Sequence, residues 1–485
     1  MAGGWASRSA PRPPRADVAP YAAARRAQVS AAFPGERLVI PAGGLKIRSN
    51  DTDYPFRPHS AFAHLTGMRA DTDPDAVLVL HPRPESGGGG HEAIVYLRPP
   101  VPLGTEQSFS DNRMGAFWVG QRPGFDDLEA EFGIAIHDLD QLRDALAKDA
   151  GEIALRVVRD ADPDLAELVD EVRLEAGEQP SEQADQLVQV EQEADSELAA
   201  YLSVLRMVKD EWEVDQLRAA IAATKTGFEA IIAELPDAVA HGRGERWIEG
   251  LFGLHARHAG NGVGYDSICA AGDHATTLHW TRNSGDLRAG ELALIDAGVE
   301  LDSLYTADIT RTLPVDGSYT DTQREIYEAV YAAQQAGLAA VRPGARFSDI
   351  HAAAIRVIAE HLHAWGLLPD GVSVEDTLDR ETGQYHRRWM VHGTSHHLGL
   401  DVHDCARATR EQYQDAELRA GMVLTVEPGL YFKADDELVP ERFRGIGIRI
   451  EDDVLVTETG CENLSAGMPS TPDDVEAWIR GVQSR

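Results

Sequence analysis

Carboxylates stand inside or at the ends of apolar runs in the second half of the chain, where an unpaired charge is costly to bury. They are Asp296 in LALID, Asp308 in YTADITRT, Glu427 in VLTVEPG and Glu451 in GIRIEDD. Taken singly, each is more often a strand-end acid, a turn residue or one half of an ion pair with Arg. Taken together, four such acids predict a site that binds cations.

A histidine-rich segment, HGTSHHLGLDVHD (392–404), adds nitrogen donors. His392 and His396 are four residues apart, as in the helical HExxH motif of zinc proteases, but the residues between them are Gly, Thr and Ser. The catalytic Glu and the helix propensity of that motif are both absent, so the sequence excludes a helical zinc-protease site. Four carboxylates and one imidazole favour Mn²⁺ or Mg²⁺, and two divalent ions balance their charge better than one.

The composition limits the function classes that these residues can serve. A chain of 485 residues predicts two or three domains, and 45 Lys+Arg against 80 Asp+Glu gives a net charge of -35. Such a surface repels phosphate backbones and anionic lipids, so neither nucleic acid nor membrane is an expected partner. Three widely spaced cysteines without a CxxC pair, and no apolar run of membrane-spanning length, predict a cytoplasmic protein.

Hydropathy patterning divides the chain into an N-terminal and a larger C-terminal part. The Pro/Arg-rich residues 1–20 predict a disordered tail, and DAVLVL (75–80) and EAIVYL (92–97) predict strands joined by a glycine-rich hairpin loop. Residues 164–217 are acidic with helical spacing, which places a boundary near residue 205. The expected domains are therefore 21–205, of mixed α/β type, and 206–485.

The C-terminal part alternates strands with helices, which predicts an α+β fold class. Continuous strands are expected in four segments and helices in two. The strands are ELALIDAGVEL, LYTADITRTLPV, GMVLTVEPGLYF and GIGIRIEDDVLVT, and the helices cover 321–342 and 347–366. The predicted strands carry the four acids.

These motifs, in this order, resemble the metal-binding signature of the pita-bread metallopeptidases. The motifs are LHW (278–280), LIDAG followed by ADITRT, HGTSHHLGLDVHD, TVEPGLY and GIGIRIED. The resemblance is closest to the aminopeptidase P (Xaa-Pro aminopeptidase) group, with prolidase as a near relative. IRSNDTDYPFRPHSAFAHLTG (47–67) also resembles the N-terminal domain of that group, so the resemblance covers about 21 to 460. It implies a pita-bread catalytic domain behind a smaller N-terminal domain.

The resemblance implies a ligand set for two divalent metal ions, usually Mn²⁺. Asp308 and Glu451 would bridge the ions, Asp296 would chelate one, and His396 and Glu427 would hold the other. Asp296 and Asp308 are twelve residues apart, one more than is usual in the group, so the turn between them must take an extra residue.

The implied reaction removes the N-terminal residue from peptides with proline in second position. A hydroxide bridging two metal ions would attack the scissile carbonyl, with Glu427 as general base and then acid. The resemblance places His392 and His403 against the peptide and His279 at the border of the site. The alternative is a prolidase, which cleaves only Xaa-Pro dipeptides. Loss of the ligands would instead give a binding protein or a creatinase-type enzyme, but all five ligand positions are intact.

Arg449 precedes Glu451 by two residues and could orient carboxylates from behind the ligands or form a plain ion pair. Trp118 resembles a tryptophan that relatives place at the active-site rim of a neighbouring subunit, although a core or surface aromatic fits equally. The resemblance implies a homodimer or homotetramer.

Three further residues lie in the histidine-rich segment or next to it. Asp404 and His397 are expected to be structural. Cys405 follows a His-Asp pair, but a thiol nucleophile is not needed where metal ions activate water.

Overall fold

The computed structural model describes residues 4–5, 12–83, 90–176 and 181–485, with the backbone alone for 181–190. The chain divides into two compact units, Met1–Leu205 and Arg206–Arg485. Among the described residues, no helix combines the length and the apolar content that a membrane crossing requires.

The first unit is built on a mixed sheet. Its strands are β1 (Arg37–Pro41), β2 (Ile47–Ser49), β3 (Thr52–Asp53), β4 (Val77–Pro82), β5 (His91–Leu97), β6 (Ala135–Asp138) and β7 (Leu155–Val157). Five of them form a sheet in the order β6-β5-β4-β1-β7, in which β4 pairs antiparallel with both neighbours and the two edge pairs are parallel. The strand pair predicted on either side of the glycine-rich loop is thus confirmed, while residues 84–89 of that loop lie outside the described residues.

Helices cover both faces of this sheet with apolar side chains. The helices of this unit are α1 (Ala19–Ala32), α2 (Ser60–Thr66), α3 (Gln107–Ser110), α4 (Ala116–Val119), α5 (Phe125–Phe132), α6 (Leu142–Ala147), α7 (Pro163–Ala176) and α8 (Ser181–Met207), of which the short α3 and α4 add no side chain to the two cores. Of the expected tail, residues 1–3 and 6–11 lie outside the described residues. Its last residues are packed rather than free, since Val18 and Ala19 are buried and Ala16 N–H donates to the carbonyl of Glu131.

The second unit surrounds its small sheets with long helices. The helices are α9 (Glu211–His241), α10 (Gly244–Ala259), α11 (Asp321–Ala340), α12 (Phe347–Ala364), α13 (Val374–Leu378), α14 (Arg410–Tyr413) and α15 (Pro472–Gln483). α11 and α12 confirm the two predicted helices, and α11 begins at a capping box in which Thr320 and Gln323 satisfy each other's backbone N–H groups. α9 begins in the same way at Asp210.

The strands of the second unit are shorter than predicted. They are β8 (Gly262–Val263), β9 (Ile268–Ala271), β10 (Leu292–Ala297), β11 (Val299–Glu300), β12 (Ile309–Pro314), β13 (Val423–Val426), β14 (Gly429–Phe432), β15 (Ile446–Arg449), β16 (Asp452–Val456) and β17 (Cys461–Asn463). The sheet orders are β12-β10-β9, β11-β8, β13-β16-β17 and β14-β15.

The prediction that the strands contain the acids was wrong at three of the four, because Asp308 precedes β12 and Glu427 and Glu451 lie at breaks between strands. The chain leaves β13 at Glu427 and re-enters a different ladder as β14 after Pro428, which has no N–H to donate. It leaves β15 after Arg449 and begins β16 after Glu451. At each break the backbone N–H of the acid donates to a carbonyl outside the ladders of the two flanking strands. Glu427 N–H donates to the Thr394 carbonyl, and Glu451 N–H donates to the Thr310 carbonyl. The acids therefore sit where strands change partners.

Candidate metal centre and active site

Strand pairing places Asp296 and Asp308 side by side. In the antiparallel pair β10–β12, Asp296 lies opposite Thr310, and Asp308 precedes the first residue of β12. The turn between them contains Leu304 in the left-handed region at φ 72°, and it is closed by the bond from Leu304 N–H to the Leu301 carbonyl. This turn takes up the extra residue between Asp296 and Asp308, so the two carboxylates still lie close to each other.

A second set of backbone contacts brings His396 to Glu427. The His396 carbonyl accepts from Thr425 N–H, and the Thr394 carbonyl accepts from Glu427 N–H at 2.8 Å. The histidine-rich segment therefore runs along the end of β13. It contains no helix between residues 392 and 404, as the sequence predicted.

The side chains of the five predicted ligands converge around one imidazole. His396 Nε2 lies 3.2 Å from Asp308 Oδ2, 3.5 Å from Glu427 Oε1 and 3.9 Å from Glu451 Oε1. Asp296 joins the group through Tyr265, whose hydroxyl lies 2.6 Å from Asp296 Oδ1 and 2.5 Å from Asp308 Oδ1. Asp308, His396 and Glu451 each offer a ligand atom, and these atoms all lie within 4.8 Å of one another.

The charge of this cluster matches a cation. Burial and then the charges of Asp308 and Glu427 raise the pKa of Glu451 well above its usual range. Burial raises the pKa of Glu427 to about 7. Although burial opposes it, the hydrogen bond with Asp308 and the charge of Glu427 raise the pKa of His396 to about 9. Crowded, buried carboxylates that resist ionisation are a donor set that fits divalent metal ions.

Arg449 supports the carboxylates from one side. Its Nη2 donates to Asp296 Oδ2 at 2.5 Å, its Nη1 to Tyr431 Oη at 3.1 Å and its Nε to Thr310 Oγ1 at 3.2 Å. Thr310 in turn donates to Glu451 Oε2 at 2.6 Å. Arg449 thus contacts Asp296 directly and reaches Glu451 through the Thr310 hydroxyl, although it does not share a strand with Glu451.

The cluster lines a cleft of about 610 Å³ together with three histidines. His279 and His403 are exposed in it, and the His403 ring lies 4.3 Å from that of His396. His392 Nε2 lies 2.7 Å from Tyr431 Oη, and its Nδ1 lies 3.5 Å from Glu427 Oε2. A peptide bond held near the acids would therefore face imidazoles on several sides.

Comparison with known proteins decides the family. The profile of Metallopeptidase family M24 matches residues 215–458, and that of Aminopeptidase P, N-terminal domain, matches 22–155. The chain is 48% identical to Xaa-Pro aminopeptidase 2 of Streptomyces coelicolor over 481 residues, which are 99% of this chain and 95% of the relative. The chain belongs to metallopeptidase family M24. It is a hydrolase of the metallopeptidase class, and divalent metal ions are its cofactors.

More distant relatives and solved structures agree with this assignment. Xaa-Pro aminopeptidase of Escherichia coli K12 is 34% identical over 467 residues, 94% of this chain and 96% of the relative. The low pH form of aminopeptidase P from E. coli superposes with a TM-score of 0.79 at 30% identity, covering 96% of this chain and 98% of that one. A zinc-substituted E. coli aminopeptidase P in complex with product matches equally well. The predicted α+β, two-domain fold of aminopeptidase P is thereby confirmed.

Two residues that support the site of this M24 peptidase carry no signal in the sequence. Tyr265 lies in the irregular segment between β8 and β9 and joins Asp296 to Asp308. Burial and then these two charges raise the pKa of its hydroxyl, which stays a hydrogen-bond donor. A lone tyrosine in a loop has no periodicity that would single it out.

Glu245 is the second such residue, and it holds the segment that carries His279. It is fully buried; one carboxylate oxygen accepts from Ala271 N–H at 2.8 Å and contacts His274 Nδ1, and the other accepts from Trp280 Nε1 at 2.9 Å and from Gly285 N–H. Its position in the first turn of α10 looks like that of any acid near a helix N-terminus.

The remaining residues of the histidine-rich segment have structural contacts. Asp404 forms a buried ion pair with Arg206 at 2.9 Å. Burial lowers the pKa of His397 to about 3, so this imidazole is neutral. Burial also raises the pKa of the Cys405 thiol, which disfavours a thiolate. Trp118, in the first unit, is 59% exposed and donates from Nε1 to the Phe109 carbonyl at 2.7 Å.

Proposed function

We propose that this M24 metallopeptidase is an Xaa-Pro aminopeptidase, which releases the N-terminal residue from peptides with proline in second position. The observation that carries the proposal is the convergence of four carboxylates and one imidazole in a histidine-lined cleft. The similarity to enzymes named Xaa-Pro aminopeptidase over almost the whole chain supports the substrate class.

We propose Asp296, Asp308, His396, Glu427 and Glu451 as the side chains that hold two Mn²⁺ ions. Even with one charge offset by Arg449, the four carboxylates supply three of the four negative charges that balance two divalent ions. When bound, such a pair supplies Lewis acidity, which activates water and polarises the scissile carbonyl. The protein's own contribution is to fix the donors on strand ends and to keep them clustered.

Glu427 has the environment of a proton carrier. Its carboxylate lines the cleft, 3.5 Å from both His396 Nε2 and His392 Nδ1, where it can accept a proton from water and return it. In this role Glu427 takes the proton of the attacking water on a carboxylate oxygen and later delivers it to the proline nitrogen of the leaving peptide. His392, 3.5 Å from Glu427, and His403 are proposed to contact the peptide, with His279 at the border of the cleft.

The decisive experiment is hydrolysis of Ala-Pro-Ala by metal-depleted protein with and without added Mn²⁺. We expect free alanine only when Mn²⁺ is present, and no hydrolysis of Ala-Ala-Ala. Glu427→Gln should be inactive, and Glu437→Gln, at an exposed position, should retain full activity. Cleavage of the dipeptide Ala-Pro without cleavage of Ala-Pro-Ala would reject the proposal in favour of a prolidase.

His403 is expected to stabilise the transition state. It is exposed in the cleft next to His396, where its imidazole can donate to the developing oxyanion. Replacing it by Ala should lower kcat by about 10²-fold, the usual effect of removing one oxyanion donor. Steady-state kinetics measure this, with His363→Ala, an exposed histidine on α12, as the control. An unchanged kcat would show that His403 only packs the wall.

We also propose that the enzyme is cytoplasmic and forms a homodimer or homotetramer. The support for an assembly is an exposed apolar cluster on and around α4, where Phe117 is 64% and Trp118 59% exposed. Exposed aromatic side chains in a group mark an interface more often than a free surface. Sedimentation of the purified chain tests the assembly.

A further inference from the structure

A second cavity, of about 300 Å³, lies beside the active-site cleft. The two share part of one wall, formed by His392, Gly393, Ser395, Arg410 and Gln414. The first turns of α12 and the residues that precede His392 form much of the remaining wall. A group bound in this second cavity would therefore lie next to a peptide held in the cleft.

Positive charge is concentrated in the second cavity although the whole chain has a net charge of -35. Three arginines line it, Arg380, Arg387 and Arg410, against a single carboxylate, Asp415, which lies 3.5 Å from Arg410. Within the described part of the chain, Arg380 and Arg387 make no ion pair or side-chain hydrogen bond. Two guanidinium groups are therefore free to bind an anion, and each can bind a carboxylate through two parallel hydrogen bonds.

Two residues that line this cavity, His386 and Ser395, also carry a buried polar atom without a partner in the part of the chain that the structure describes. The His386 side chain is 3% exposed, and its Nδ1 has no hydrogen-bond partner among the described residues; the same holds for the buried hydroxyl of Ser395. A buried polar atom left without a partner costs about 1–3 kcal/mol. Such an atom, carried by a residue on the cavity wall, gains a partner if its side chain turns toward a bound polar group.

His351 is neutral, so the positive charge of the cavity comes from the arginines. Its Nδ1 lies 2.8 Å from Thr394 Oγ1, so this imidazole already has a partner. Burial, followed by the positive charges of His386, Arg380 and Arg387, lowers its pKa to about 4. The cavity thus combines two free cations with neutral hydrogen-bonding groups, as expected for a site that binds an anion.

We propose that this cavity is a substrate subsite that binds the C-terminal carboxylate of a short Xaa-Pro peptide. The inference rests on the proposed function, because it takes the peptide in the cleft as the source of the anion. The shared wall at His392–Ser395 places the cavity within reach of the leaving part of such a peptide. The enzyme would then favour short peptides, whose terminal carboxylate lies close to the scissile bond, over longer chains.

The test compares kcat/KM for Ala-Pro peptides of three to five residues, each as the free acid and as the C-terminal amide. We expect the acid to exceed the amide by about 10-fold at one of these lengths, equivalent to about 1.4 kcal/mol. In the double variant Arg380→Gln/Arg387→Gln the preference should disappear while kcat/KM for the amide stays unchanged. Arg356→Gln, which removes an exposed ion pair with Glu375 outside the cavity, should retain the preference.

The outcomes separate this inference from the proposed function. Hydrolysis of acids and amides at equal rates would overturn the subsite but leave the aminopeptidase intact, whereas no hydrolysis of any Xaa-Pro peptide would overturn the proposed function. Inorganic phosphate provides a further arm. One outcome is that phosphate changes the hydrolysis rate of the acid and of the amide equally in the wild type, and changes neither rate in the double variant. That result would show that the cavity binds a free anion, and the substrate subsite would be rejected.

Discussion

Replacing Asp308 by Ala should lower kcat/KM for Ala-Pro-Ala by about 10³-fold or more, even with Mn²⁺ in excess. Asp308 lies at the centre of the cluster, 3.2 Å from His396 Nε2 and 2.5 Å from the hydroxyl of Tyr265. Loss of a carboxylate proposed to bridge two ions removes several kcal/mol of transition-state stabilisation, and about 4 kcal/mol corresponds to this factor. Glu451→Ala, at another of the proposed ligands, should have a similar effect.

The same substitution should not unfold the protein, because Asp308 is costly to bury in the metal-free state. Burial raises its pKa and the charge of Asp296 adds to this rise, which exceeds the opposing effect of the hydrogen bond with His396, so removal of Asp308 relieves repulsion within the cluster. We therefore expect the Tm of metal-free Asp308→Ala to be at least that of the metal-free wild type. The increase in Tm that Mn²⁺ gives the wild type should be lost in the variant, since a bound ion stabilises only the folded state.

Asp302→Ala is the matched control, since it removes an exposed carboxylate from the same turn. It should retain both the activity and the stabilisation by Mn²⁺. The double variant Asp308→Ala/Glu451→Ala should be scarcely less active than either single variant, because groups that act as one unit are not additive. Full activity of either single variant would refute the two-ion assignment.

The acids could be found from the sequence because a charge in an apolar run is locally improbable. Asp296, Asp308, Glu427 and Glu451 each stand out against Leu or β-branched neighbours, and the order of the motifs pointed to a family. What the residues alone could not give is the break in the chain at Glu427 and Glu451. A break of this kind depends on which distant carbonyl accepts the backbone N–H, here those of Thr394 and Thr310.

Two supporting residues could not be found from the sequence either, because their contacts are also with residues distant in the chain. Tyr265 and Glu245 each have their effect through partners that are distant in sequence, 31 residues away in the case of Tyr265 and Asp296. Neither interrupts a periodic pattern, so neither looks unusual in its own segment. Arg449 was singled out, but from its spacing to Glu451 on an assumed common strand, whereas the structure connects the two through the Thr310 hydroxyl.

Arg311 is the second residue for which we expect a large effect, in this case on stability. It lies on β12 between Thr310 and Thr312 with no exposed surface. Its guanidinium donates to Asp452 Oδ1 at 2.6 Å and to four carbonyls, at distances of 2.7 to 2.9 Å. These carbonyls belong to Pro469, Thr310, Glu451 and Met468. All five donor hydrogens of the group therefore have a partner within reach.

Arg311→Met keeps a side chain of comparable length but leaves the buried Asp452 without its cation. Removing one partner of a buried ion pair costs about 3–5 kcal/mol, and we expect the free energy of unfolding to fall by that amount. Urea denaturation of the metal-free protein measures it. The exposed pair Arg442–Glu325 provides the control, because Arg442→Met should cost less than about 1 kcal/mol.

A double-mutant cycle separates the ion pair from the carbonyl contacts. In Arg311→Met/Asp452→Asn the buried negative charge is gone, and the Asn amide can keep the contacts that Gln334 and Asn463 make with Asp452. The double variant should therefore be more stable than Arg311→Met alone. Equal stability of these two variants would show that Arg311 acts through the carbonyls. In that case Arg311→Met should also weaken Mn²⁺ binding, because one of those carbonyls belongs to Glu451. Calorimetry at a temperature below unfolding would detect the weaker binding.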